Sequence, residues 1–149
     1  MNTLKPVEIL LVEDNPGDIQ LTREALEDCK MINNLYVVED GEKALNYLFR
    51  TEGYENSVIP DLIILDLNLP KVDGREVLGK IKADNKLKLI PVVVLTTSKA
   101  DEDILKVYEL HANCYIAKPL NIDRFFQVVK AIENFWMGIV MLPKKSQQA

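Results

Sequence analysis

The chain has 149 residues, 48% of them hydrophobic, and a formal net charge of −5. That supplies one core for one domain, and the acidic balance, without a run of lysine and arginine, argues against nucleic acid as the main partner. No apolar run reaches the roughly 18 residues of a bilayer span, and the amino terminus lacks a signal-peptide pattern, so a cytoplasmic protein with no membrane partner is expected.

In chain order, Val7 to Val12 (VEILLV) reads as a buried strand that ends directly in Glu13 and Asp14. Asn15 then caps a helix whose first residue is Pro16, where the missing N–H is harmless, and Asp18 adds negative charge to the first turn. This helix is predicted to reach about Cys29, with Ile19, Leu26 and Cys29 toward the core. Leu35 to Val38 is a second strand, followed by Asp40 as the cap of a helix carrying Ala44, Leu45 and Leu48. Arg50 to Pro60 is a long loop with no chemistry assigned to it.

Leu62 to Asp66 (LIILD) is an apolar run closed by a carboxylate, so a buried strand should present Asp66 at its carboxyl end. Pro70 and the Asp73-Gly74 pair break the chain there, and Gly74 to Ala83 reads as a helix with Val77, Leu78 and Ile81 on one face. Asp84 to Ile90 is a connection, and Val92 to Thr96 another buried strand. Ser98 with Asp101 resembles a capping box that opens a helix to Leu110. Cys114 to Ala117 is a fifth strand, closed by Lys118-Pro119, and a last helix is predicted from near Asn121 to about Met137. Cys29 and Cys114 stand at no metal-ligand or redox spacing and suit small buried residues in a reduced compartment.

Five strands alternating with five helices predict an α/β fold: a five-stranded parallel sheet with helices on both faces. In such sheets the site lies beyond the carboxyl ends of the strands, where strand order switches. One cluster is thereby predicted: Glu13, Asp14, Asp66, Thr96 and Lys118. Like charges about 4 Å apart repel by roughly 4 kcal/mol at an effective dielectric near 20. A hard divalent cation with oxygen ligands, Mg²⁺ above all, offsets that repulsion. With Lys118 it would also offset the charge of a phosphoryl donor, leaving Asp66 as nucleophile. Thr96 offers a hydroxyl to a phosphoryl oxygen, and Asn68 its main-chain carbonyl to the metal. Each residue alone also has a plain structural reading; their order along the chain gives the combination its specificity.

These residues resemble the receiver domains of two-component response regulators, over roughly Val7 to Phe135. ILLVEDN matches the acidic-pair strand, LIILDLNLPKVDG the phosphoacceptor strand and loop, PVVVLTTS the switch-hydroxyl strand, and CYIAKP the lysine-proline motif. The resemblance implies a flavodoxin-like receiver fold, with one domain over residues 1–149, a core from about 7 to 137, an extension over 138–149 and no separate output domain. It implies phosphorylation of Asp66, with Mg²⁺ held by Asp14, Asp66 and the Asn68 carbonyl and with Glu13 acting through a water. Thr96 and Tyr115 would form the switch pair, and Lys118, with Thr97 beside the switch hydroxyl, would bind the phosphoryl group. Output would run through the surface of the fourth and fifth helices and the fifth strand. GYENS, LNLPK, DGREVL, YELHANCY and the FW-containing tail further resemble the small cyanobacterial-phytochrome response regulators. The implied partner is a sensor histidine kinase, a phytochrome, and the protein would be no enzyme beyond its own aspartyl phosphorylation and dephosphorylation. Glu13 departs from the common aspartate by one methylene, and Leu120 from a common aromatic.

Ile122, Phe125, Val129, Ile132 and Trp136 form a stripe at helical spacing, while Phe126 and Phe135 fall partly outside it and Ile139 to Leu142 add further apolar surface. Two arrangements accommodate the excess: a homodimer through the last helix and the extension, with Phe126, Phe135, Trp136 and Ile139 at its surface, or a tail folded over its own core. His111, the one histidine, reads as a packing or surface residue. A Mg²⁺-dependent phosphatase with an aspartyl nucleophile would want an acid where Asn68 stands. A flavin carrier would want a hydroxyl- and glycine-rich loop where EDNPGD stands. A phosphate-independent interaction module is the remaining alternative.

Overall fold

A computed structural model describes residues 6–28, 32–96 and 114–117, together with Asp123, Gln127, Lys130 and Ala131, which are helical and exposed. The strands are β1 (Val7–Val12), β2 (Asn33–Val38), β3 (Leu62–Asp66), β4 (Val92–Thr96) and β5 (Cys114–Ala117), and the helices α1 (Pro16–Asp28), α2 (Gly41–Phe49) and α3 (Gly74–Ala83). All pairings are parallel, in the order β2-β1-β3-β4-β5. From β1 the chain steps outward to β2 and then returns to place β3 on the other flank of β1. The switch in strand order therefore lies between β1 and β3.

Period-two alternation divides the strand side chains between two layers. Leu10 and Val12, Ile63 and Leu65, and Val92 and Val94 face α2 and α3, where Ala44, Leu48, Val77, Leu78 and Ile81 meet them. Ile9 and Leu11, Leu62 and Ile64, and Val93 and Leu95 form the opposite layer with Ala25 and Leu26 of α1. Central strands buried on both faces are near-continuous in apolar residues because neither face meets water, and every residue of β3 is buried.

Local signals fix the element ends. Asn15 Oδ1 accepts the Asp18 N–H at 2.9 Å at the start of α1, Asp40 Oδ1 accepts that of Lys43 at 2.7 Å at the start of α2, and Asp73 Oδ1 accepts that of Arg75 at 2.7 Å at the start of α3. These are the bonds that orphan first-turn amides require. Two boundaries differ from the sequence reading. β2 begins at Asn33 rather than Leu35, since the ladder to β1 already pairs Asn33 with Val7. The connection Asp84 to Ile90 contains a 3₁₀ turn, Leu87–Leu89, started by Asp84 Oδ2, which accepts the amides of Lys86 and Leu87 at 3.0 and 2.9 Å. Ile19 is only half-buried, and Cys29 lies outside the described residues.

Candidate functional site

β1 and β3 are neighbours in register, Val12 beside Leu65, so the residues that follow them emerge together at the carboxyl edge of the sheet. Oxygens of Glu13, Asp14 and Asp66 all lie within 4.8 Å of one another. Glu13 and Asp66 are buried and Asp14 is exposed. Glu13 Oε2 accepts the Asn15 N–H at 3.1 Å, and Asp66 Oδ1 accepts the Asn68 N–H at 2.9 Å. At that spacing each pair of negative charges repels by about 3 kcal/mol at an effective dielectric near 20, with solvent reducing the figure for Asp14. An all-oxygen donor set of this charge fits a hard divalent cation and not a soft metal.

The loop after β3 is tightly fastened. The Leu67 N–H donates to the Leu95 carbonyl at 2.9 Å, and the Gly74 N–H closes the loop onto the Leu67 carbonyl at 3.1 Å. A β-carbon on Gly74 would stand 2.5 Å from Leu67 Cα and overlap the Asp66 carbonyl oxygen. Glycine is required there because α3 starts against the backbone of Asp66 itself. Lys71 adopts a left-handed conformation, φ 69°, which is uncommon for a residue with a side chain.

The structure thus brings together Glu13, Asp14 and Asp66 as the sequence predicts, and ties the Asn68 N–H to Asp66. The main chain of Thr96 ends β4, one residue beyond the Leu95 that pairs with Asp66, and Tyr115 lies on β5 opposite Val94. Thr97, Lys118, His111, Phe126, Phe135, Trp136 and Ile139 lie outside the described residues, as do the predicted fourth helix and most of the last. Sequence reasoning missed Gly41, which touches the loop after β3. Its signal was present, because Asp40-Gly41 is the same dipeptide as the Asp73-Gly74 that was read as a breaker.

Residues 9–130 match the model of the response regulator receiver domain family. The chain is 49% identical over 138 residues to response regulator Rcp1 of Synechocystis sp., covering 93% of this chain and 94% of that one. Among solved structures it is similar to the phosphorylated cyanobacterial phytochrome response regulator RcpA, with a TM-score of 0.82 and 51% identity over 93% of this chain and 99% of that one. It is also similar to the Mn²⁺-bound form of Rcp1, with a TM-score of 0.81, 49% identity and the same shares covered.

Proposed function

This chain belongs to the response regulator receiver domain family, and from that membership we propose that it takes a phosphoryl group onto Asp66 from a sensor histidine kinase, a phytochrome. One observation carries the reading: Asp66 is buried at the end of β3, at the topological switch, with Glu13 and Asp14 oxygens within 4.8 Å. In the transfer an Asp66 carboxylate oxygen attacks phosphorus in line while the P–N bond of the phosphohistidine breaks and the imidazole leaves. The tight loop after β3 holds Asp66 still for that attack, which lowers the entropic part of the barrier.

Asp14, Asp66 and the Asn68 main-chain carbonyl would hold Mg²⁺, with Glu13 acting through a water. One Glu13 oxygen is already engaged by the Asn15 N–H, which supports an indirect role. When bound, such a cation neutralises the crowded carboxylates and the phosphoryl oxygens. Lys118 and Thr97 would bind the phosphoryl group, and movement of Thr96 toward it would let Tyr115 turn inward, changing the surface made by the fourth and fifth helices and β5. The readout would be a protein contact in the cytoplasm, with a homodimer through Phe126, Phe135, Trp136 and Ile139. No helix among the described residues is long and apolar enough to cross a membrane.

Intact-protein mass after incubation with acetyl phosphate tests the chemistry. A single Mg²⁺-dependent phosphoryl adduct is expected on the wild type and not on Asp66→Ala. A folded wild type that gains no adduct would overturn the proposal in favour of a phosphate-independent interaction module.

A further inference from the structure

The loop that carries Asn68 is held from outside as well as from within. Leu69 and Val72 pack on the core layer that contains Ala44 and Leu48 of α2, and the first residue of α2 touches the loop directly. The Gly41 N–H donates to the Pro70 carbonyl at 3.4 Å. A β-carbon on Gly41 would overlap the Val72 carbonyl oxygen and lie 2.7 Å from its carbonyl carbon. Next to this contact, Glu42 faces Lys71 at 3.8 Å, and Lys71 is the loop residue with the left-handed backbone.

We propose that Gly41 is a positioning residue for the cation site: by admitting the Val72 carbonyl against the start of α2, it sets where the loop presents the Asn68 carbonyl. The inference rests on the reading of Asn68 as a main-chain ligand. A backbone contact on both sides cannot yield as a flexible side chain would, so a methyl group at position 41 must displace either the loop or the helix start. Pro70 and Val72, the loop residues that meet Gly41, stand two to five residues from the anchors at Leu67 and Gly74, and their displacement would pass along the chain to Asn68. Linkage gives a reciprocal consequence: if the seat improves cation affinity, bound cation must tighten the seat by the same factor.

Calorimetric titration of Mg²⁺ into the wild type, Gly41→Ala and Leu87→Ala tests this, alongside amide hydrogen exchange at Gly41 in the wild type with and without Mg²⁺. Leu87→Ala truncates a core residue in the connection that leads into β4, at the edge of the sheet opposite the loop after β3, and reports what destabilisation alone does. Gly41→Ala is expected to bind Mg²⁺ about tenfold or more weakly, the effect usual for groups that orient a ligand, with Leu87→Ala like the wild type. Exchange at the wild-type Gly41 amide is expected to slow when Mg²⁺ is added. Wild-type affinity in Gly41→Ala, or an equal loss in Leu87→Ala, overturns the inference and leaves the receiver chemistry standing. Should Gly41→Ala not fold, unchanged exchange at Gly41 on saturation with Mg²⁺ overturns it instead. A wild type that binds no Mg²⁺ removes the cation site and this inference together.

Discussion

Asp66 is 1% exposed yet shares its surroundings with two other carboxylates, an arrangement that works against stability in the absence of a cation. Asp66→Asn keeps an oxygen that can accept the Asn68 N–H while removing the charge. It should therefore stabilise the cation-free protein by about 1–3 kcal/mol, seen as a higher urea midpoint in EDTA; a lower midpoint would contradict the repulsion. A second titratable group lies toward the opposite edge of the sheet. Burial pushes the Tyr47 phenol up to about 12, with Tyr36 and Glu8 reinforcing the shift and the Val58 main chain and Arg50 opposing it. Tyr47 packs between Tyr36 and Tyr54, at ring-centroid distances of 6.3 and 5.6 Å. Because the folded protein holds this proton more tightly than the unfolded chain, the stability it contributes is complete below pH 10 and is lost as pH rises toward 12. Tyr36, raised by its hydrogen bond to Glu8, acts in the same direction. Burial lowers Lys82, which acts in the opposite one. Tyr47→Phe should remove about 1 kcal/mol of the alkaline loss, measured as the difference in urea midpoint between pH 9 and pH 11; an undiminished loss in the variant would locate it elsewhere.

Among the elements, the segment from Arg50 to Pro60 carries no chemical motif in its sequence, and the structure gives it a local role. Arg50 Nε and Nη2 both donate to the Ser57 carbonyl, at 3.1 and 2.7 Å. Ser57 Oγ donates to the Tyr47 carbonyl at 2.9 Å. Arg50 and Glu52 take left-handed conformations, φ 60° and 50°, so the loop is a folded-back closure of α2. It joins the end of α2 to the start of β3, at the edge opposite the carboxylates. Replacing Glu52–Asn56 by a short glycine linker should leave the rate of Mg²⁺-dependent phosphorylation by acetyl phosphate unchanged; a slowed reaction would tie this loop to the site. The caps Asn15 and Asp40 were readable from single residues, because a short polar side chain beside the first turn answers a need internal to the helix; Asp73, legible only as part of a chain-breaking pair, caps α3 in the same way. The 3₁₀ turn at Leu87–Leu89 was not so readable: Asp84 caps its first amides locally, but its Leu87 is fixed by burial in the core under α3, a tertiary contact.

For the molecule as a whole, the proposed dimer makes the plainest prediction. Sedimentation velocity over a range of concentrations should show a monomer–dimer equilibrium that Trp136→Ala shifts toward monomer. A monomer throughout, with and without phosphorylation, would assign the apolar tail to its own core. The family match over residues 9–130 and the TM-score of 0.82 to RcpA agree with the architecture expected from five apolar runs alternating with helical patterns. That alternation dictates a parallel sheet because only crossovers can connect strands running the same way. A carboxylate placed at the last position of such a strand must then emerge at the sheet's functional edge, so chain order alone identified Glu13, Asp14 and Asp66 as neighbours. Contacts between loops obey no such periodicity. The seat of Val72 on Gly41, the left-handed Lys71 and the closure of the Arg50–Pro60 loop arise where separate segments meet, and they were decided only when packing of the two core layers set the distances between α2, α3 and β3.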